Sequence, residues 1–173
     1  MIYTALVAFG AAAAAVSSPV LRHWAVSTED AETDFPRVVF TLIGSADSPK
    51  LPILVLSYRN KSWNALLTCG ERLEEPAANL SITADGENEP VMWRMTRDHG
   101  GAFAPEAERF VMRLLNCRKL EVEFPAAGQH RRAAFDTTGL EKEIDNFPEA
   151  KKALVPDKVK QKAPSATVLG ITV

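Results

Sequence analysis

The sequence predicts an α+β domain that is mainly β: an antiparallel β-sandwich-like fold with one amphipathic helix and a short C-terminal helix. Three observations support this fold class. Runs of β-branched and aromatic residues recur between turn residues, other segments alternate apolar and polar side chains, and one segment has a clear helical period. The 173 residues are 46% hydrophobic and 24% charged, which suits a single globular core.

The first predicted strand is Arg37 to Ile43, a run of β-branched and aromatic residues that ends at a cluster of turn residues beginning with Gly44. Apolar runs or alternation predict further strands at residues 53–58, 64–69, 79–83, 91–95, 120–124 and 131–136. Residues 98–104 contain Gly100-Gly101 and show no periodicity, so we expect a loop there.

The amphipathic helix is predicted at about residues 105–116, with Pro105 at its first position. Its apolar side chains fall at positions i, i+3, i+4, i+7 and i+8 and form one stripe: Ala107, Phe110, Val111, Leu114 and Leu115. A second, short helix is predicted at about residues 139–147, where Thr138 and Glu141 fit a capping box and Pro148 marks the end.

The chain divides into three predicted regions. Residues 1–22 form an apolar leader, because the first 21 residues carry no charged side chain; a signal peptide, a membrane anchor and a buried N-terminal segment of a cytosolic protein all fit this composition. Residues 23–148 form the globular domain, which Trp24 opens. Residues 149–173 are rich in lysine and proline and predict a flexible tail. The leader favours a periplasmic or secreted protein.

The charge and the motif content of the sequence exclude several classes of function. The net charge of −2, from 20 basic and 22 acidic residues, gives no global field to hold a phosphate backbone, so we expect no nucleic-acid partner. The sequence contains no phosphate-binding glycine motif, no calcium loop and no histidine pair at metal-ligand spacing. We therefore expect no cofactor and no metal, and we favour a protein that is not an enzyme.

Two cysteines, Cys69 and Cys117, allow one disulfide. In an exported domain this bond would close a loop of nearly fifty residues and add about 3–4 kcal/mol of stability. Two buried, reduced thiols are the alternative.

Three residues are candidates for partner binding. Trp63 lies in a predicted turn, where an indole can anchor a protein contact, although packing over the edge of a core is the alternative. Asp98 and His99 stand before Gly100-Gly101, and a glycine-rich loop can present a carboxylate and an imidazole together. A plain loop before a helix explains the same residues. Trp93 we assign to the core.

The order of several segments resembles the accessory periplasmic family of type VI secretion systems known as VasI or TagO. The segments are STEDAETDFPRVVF, ALLTC ending at Cys69, NLSIT, AFAPEAERFVMRLL, KLEVEF and AAFDTTGLEKEIDNF, and together they span about residues 24–147. The resemblance implies a sandwich fold and a role in a secretion assembly.

The leading hypothesis is an exported, non-enzymatic accessory or binding module of an envelope or secretion-type assembly, with a protein partner and peripheral contact with the membrane or envelope. Two alternatives remain open. One is a small hydrolase or inhibitor directed at cell-wall material, with residues 98–101 as its active loop. The other is a structural subunit of a phage-like assembly, in which the leader is a buried arm.

Overall fold

The computed structural model of the protein describes residues 23–32, 36–48, 50–74, 79–126 and 128–154. Within these residues the chain forms eleven strands and three helices. In chain order they are β1 (Ala25–Glu29), β2 (Arg37–Ile43), β3 (Ser45–Ala46), β4 (Ile53–Arg59), β5 (Ser62–Thr68), β6 (Asn79–Ala84), β7 (Glu87–Met92), β8 (Arg94–Met95), β9 (Gly101–Phe103), α1 (Ala107–Leu115), β10 (Lys119–Ala126), β11 (Gln129–Asp136), α2 (Leu140–Asp145) and α3 (Pro148–Lys152).

Two antiparallel sheets make up most of the domain. Sheet A has six strands in the order β1-β2-β4-β5-β9-β8, and sheet B has five in the order β3-β11-β10-β6-β7. The chain passes from β7 at the edge of sheet B to β8 at the edge of sheet A through the single residue Trp93, which is buried. The predicted fold class, a mainly antiparallel β domain with few helices, is confirmed.

One hydrophobic core joins both sheets and all three helices, because every second residue of the central strands points into it. Sheet A contributes Val38, Phe40, Leu42, Leu54, Leu56, Tyr58, Trp63, Ala65 and Leu67, and sheet B contributes Leu80, Ile82, Leu120, Val122, Phe124, Ala133 and Phe135. The helices add Ala107, Phe110, Val111, Leu114, Leu140, Ile144 and Ala150. The predicted apolar stripe of α1 therefore faces the core.

Three strands were not predicted: β1, β3 and β9. The single strand predicted at residues 91–95 is wrong, because these residues belong to β7 and β8, which lie in different sheets on either side of Trp93. β9 lies inside residues 98–104, where a loop was expected, and it pairs with β5 through Thr68 and Gly101. Glycine is required at this position because a Cβ on Gly101 would lie 2.6 Å from the carbonyl oxygen of Leu67. The glycine that suggested a loop instead permits a close approach of two strands.

The capping prediction for the second helix is wrong. The residue before α2 is Gly139 in a left-handed conformation, and no side chain caps the helix. The Thr138 hydroxyl donates instead to the carboxylate of Asp136, at 2.6 Å. Likewise, α1 begins at Ala107 and not at Pro105.

The predicted boundary between domain and tail is also wrong by several residues. Pro148 begins α3, and both Ala150 and Leu154 are buried, so the folded domain continues through residue 154. The rest of the predicted tail and the whole predicted leader lie outside the described residues. No helix in the described part of the chain is long and apolar enough to cross a membrane.

Candidate functional site

An aromatic cluster lies at one end of sheet A. Trp63 is only 2% exposed, and its ring centre lies 5.7 Å from Phe40 and 5.5 Å from Tyr58. Its indole N–H donates to the carbonyl oxygen of Ala150 in α3, at 3.2 Å. The interpretation of Trp63 as an exposed loop anchor is therefore wrong: it lies within β5 and faces inward, opposite Tyr58 of β4.

A groove runs beside this cluster, between the end of sheet A and the connection from α2 to α3. We call it the Tyr58 groove, and its volume is about 510 Å³. Phe147 packs edge-on against Phe40, with 5.7 Å between ring centres, so the groove and the core share aromatic residues. The lining residues are Pro36, Val38, Tyr58, Asn60, Lys61, Asn146, Phe147, Pro148, Glu149 and Ala150.

The polar groups of the Tyr58 groove surround an apolar centre. Burial raises the pKa of Tyr58, and the negative charge of Glu149 raises it further, so the phenol keeps its proton and its donor hydrogen at neutral pH. Lys61, Glu149 and the amide side chains of Asn60 and Asn146 are exposed. An apolar floor with a few polar groups around it is the usual composition of a binding site.

The turn that carries Lys61 adopts an uncommon backbone conformation. Asn60 and Lys61 join β4 to β5 with φ angles of 51° and 61°, both in the left-handed region. A two-residue hairpin turn of this kind favours Asn followed by Gly, because a side chain at the second position costs roughly 1 kcal/mol. Lysine therefore occupies a position where glycine would fold better. Such local strain is often found at functional sites.

A second groove, of about 540 Å³, lies between α1 and the β6–β7 hairpin. Buried Trp93 and Phe110 form its floor, with 5.0 Å between their ring centres, which confirms the assignment of Trp93 to the core. Its charged side chains contact nearby protein groups: Arg113 donates to the carbonyl oxygen of Glu87 at 2.8 Å, and Arg109 lies 3.4 Å from Glu106. A ligand would have to displace these contacts, so this groove is the weaker candidate.

Asp98 and His99 form a tight turn between β8 and β9. The carboxylate of Asp98 accepts hydrogen bonds from the Thr96 hydroxyl at 2.6 Å and the Gly100 N–H at 3.1 Å, and these bonds lower its pKa. The carboxylate is therefore ionised and already bonded within the turn, which suits neither an acid nor a base near neutral pH. His99 has a φ angle of 59°, and its carbonyl oxygen accepts from Leu73. Both residues have a structural role here; their role in partner binding stays a prediction.

The predicted disulfide is not present. Cys69 and Cys117 are both buried free thiols, as the alternative expected. Burial raises the pKa of Cys69 to about 12, with a smaller contribution from the charge of Glu71. Burial also raises the pKa of Cys117, whose sulfur lies 3.4 Å from the hydroxyl of Thr137. Neither thiol is ionised near neutral pH, so neither is activated as a nucleophile.

The described residues contain no group of three or more His, Cys, Asp or Glu side chains that could hold a metal ion. The groove residues Tyr58, Lys61, Phe147 and Glu149 were not predicted from the sequence. One signal was present: a lysine follows asparagine between two strand segments that carry an aromatic residue on each side, at Tyr58 and Trp63. No pattern in the sequence connects this hairpin to Phe147 and Glu149.

Comparisons with protein-family models, with curated proteins and with solved structures give no match to this chain. The fold and the groove alone therefore define the class: an α+β, sandwich-like domain with an aromatic-floored groove at one end of its larger sheet.

Proposed function

We infer that this chain is an exported, non-enzymatic binding module of an envelope or secretion-type assembly, and that it holds a protein partner in the Tyr58 groove. The uncharged leader supports export, and the resemblance to the VasI or TagO family supports the type of assembly. The observation that carries the proposal is the groove itself, where an apolar aromatic floor lies beside Lys61, a side chain kept in a strained turn.

The chemistry of the groove fits an extended peptide segment with an apolar or proline side chain at its centre. Aromatic side chains such as Tyr58 and Phe147 offer flat surfaces on which proline and aliphatic groups pack. The Tyr58 hydroxyl and the amides of Asn60 and Asn146 can donate to backbone carbonyl groups of such a segment. Lys61 and Glu149 carry opposite charges, so the partner segment needs no net charge.

Site-specific photo-crosslinking in the native host tests the proposal. A photoreactive residue at Asn146, on the edge of the groove, should crosslink to a protein in the envelope fraction. The same residue at Met92, which is 65% exposed and does not line the groove, is the matched control and should not. Lys61→Glu should weaken the crosslink from Asn146, because it adds a second carboxylate to a groove already lined by Glu149. It should not lower the melting temperature, because Lys61 is exposed.

Three results would contradict the proposal. Fractionation of the protein with the cytosol would contradict export. Crosslinking of the same species from Asn146 and from Met92 would show that the groove is not the contact surface. Persistence of the Asn146 crosslink in Lys61→Glu would show that the partner does not recognise the lysine.

A further inference from the structure

The Tyr58 groove has apolar groups in contact with solvent. Pro36, just before β2, and Pro148, at the start of α3, are both exposed, and Phe147 is half-buried. Buried Val38 and Ala150 complete the apolar lining. Concave apolar surface of this kind is where a ligand or a second chain segment packs.

The chain leaves the described domain beside this groove. Residues 148–150 of α3 line one wall, and Leu154, the last described residue, is buried. Backbone hydrogen bonds from Ala153 to Glu149 and from Leu154 to Lys151 continue the helical turn. A helix advances about 1.5 Å for each residue, so the chain leaves the domain about 10 Å from the wall of the groove.

The residues that follow Leu154 divide by charge. Residues 155–162 contain Asp157 and three lysines, whereas residues 163–173, APSATVLGITV, contain no charged side chain. We call the second part the 163–173 segment. It carries Pro164 and several β-branched residues, which favour an extended backbone. An extended, uncharged segment with proline and aliphatic side chains is the ligand that the chemistry of the groove fits.

The 163–173 segment is within reach of the groove. The eight residues 155–162 span at most about 27 Å when extended, well above the distance from Leu154 back to the groove wall. Their charges remain in water and need no burial. A tether of this length gives an effective concentration of about 1 mM, at which a segment with a dissociation constant of about 0.1 mM occupies its site in roughly nine molecules of ten.

The predicted leader joins the domain at a greater distance from the groove. It precedes β1, whose first residue, Ala25, pairs with Thr41. The other end of β1, at Glu29, pairs with Arg37, which is next to Pro36 in the groove. The length of β1, about 13 Å, therefore separates the leader from the groove. The 163–173 segment has the shorter path.

We propose that the 163–173 segment binds in the Tyr58 groove of its own chain and competes there with the protein partner. The competition rests on the proposed function, whereas the occupancy of the groove by the segment does not. Val168, at the centre of the segment, supplies the aliphatic side chain for the aromatic floor. Because the partner binds only the open groove, a segment bound in nine molecules of ten lowers its apparent affinity about tenfold.

Photo-crosslinking within the purified protein tests the occupancy. Protein from the native host, with a photoreactive residue at Asn146, is illuminated at about 1 μM, far below the effective concentration of a tethered segment. Peptide mass spectrometry should identify a crosslink from position 146 to the 163–173 segment, in a species of monomeric mass. Val168→Lys should reduce its yield about tenfold, because an ammonium group is costly to place on an apolar floor.

Val159→Lys is the matched control. It makes the same change among the charged residues 155–162 and should leave the yield of the crosslink unchanged. Equal effects of Val168→Lys and Val159→Lys would overturn the proposal. So would the absence of any crosslink to the 163–173 segment, a crosslink to residues 1–22 in its place, or a crosslinked species with the mass of two chains.

The competition is measured in the native host. Val168→Lys should raise the crosslink from Asn146 to the envelope partner about tenfold, and an unchanged yield would show that the segment does not compete. The two proposals fail in different ways. A crosslink to an envelope protein without one to the 163–173 segment overturns only the present proposal. A crosslink to the segment, with none to an envelope protein in either variant, overturns the proposed function and the competition.

Discussion

The two sheets have the same kind of inward face and different outward faces. Most outward positions on the central strands of sheet B are charged or polar: Lys119 lies 2.7 Å from Glu121, Arg132 pairs with Glu123, and Ser81 and Thr83 lie on the next strand. Met92, at the edge of this sheet, is an exposed apolar exception. The equivalent positions at the centre of sheet A carry Ile53, Val55 and Leu66, beside polar residues such as Ser57 and Asn64. Because both sheets already bury one face in the shared core, the fold does not require apolar side chains at these outward positions.

The two sheets also differ in how well the residues of their hairpin turns suit a tight turn. In sheet B the β6–β7 turn is Asp85-Gly86, with φ angles of 45° and 93°, and the Asp85 carboxylate accepts from the backbone N–H groups of Arg118 and Lys119. In sheet A the β4–β5 turn is Asn60-Lys61. Sheet B therefore has the residue pair that favours folding, whereas sheet A retains a lysine beside a groove.

The largest expected effect on stability concerns the inward faces, which the two sheets have in common. Phe40→Ala in sheet A and Phe124→Ala in sheet B should each lower the free energy of unfolding by about 3–5 kcal/mol, because both rings are fully buried and each substitution leaves a cavity. Urea denaturation measures both. A loss below about 1 kcal/mol for either ring would show that its sheet does not share the core.

Substitutions in the two hairpin turns should change the free energy of unfolding in opposite directions. Lys61→Gly should raise the free energy of unfolding by about 1 kcal/mol, because glycine removes the left-handed strain, and Gly86→Lys should lower it by a similar amount. Thermal denaturation of the two variants gives the measurement. The comparison fails if Lys61→Gly destabilises the protein. A stabilised Lys61→Gly variant that also loses the Asn146 crosslink would show that the lysine is kept for binding.

A smaller difference is expected between the outward faces. Val55→Thr should cost about 0.5 kcal/mol in the monomer through its cross-strand neighbours, and Thr83→Val should change stability by no more than that. Thermal denaturation measures both variants, and equal losses of stability for Val55→Thr and Thr83→Val would show that the two outward faces behave alike.

The sequence predicts most strands and both of the larger helical segments because their signals are local. The apolar stripe of α1 and the alternation of β10 each lie within a single segment, and both elements predicted from them are confirmed. The signals fail where the structure depends on distant residues. Trp63 follows a turn by two residues, yet it is covered because Ala150, 87 residues away, packs against it.

The candidate site shows the same limit more clearly. The Tyr58 groove exists only because Phe147 and Glu149 of the α2–α3 region meet the β4–β5 hairpin, and no local pattern encodes that meeting. Asp98 shows this limit in another way. A carboxylate beside glycines suggests an active loop, and no local pattern indicates that its hydrogen bonds to Thr96 and Gly100 also close a turn.

The smallest expected effect concerns the charges on sheet B. A hydrogen bond and the positive charge from Lys119 hold the pKa of the Glu121 carboxyl below its usual range. Because the folded-state pKa is lowered, the stabilisation is present above the unfolded pKa and is lost as the pH falls through the folded pKa. Glu121 is solvated, so the effect on stability should be slight, and the titration itself is the better measurement.

By NMR, Glu121 should titrate below a model glutamate, and Lys119→Ala should move its midpoint back upward. A midpoint that Lys119→Ala leaves unchanged would show that the pair does not form in solution. The outward face of sheet B would then owe its solubility to the number of its charges and not to their pairing.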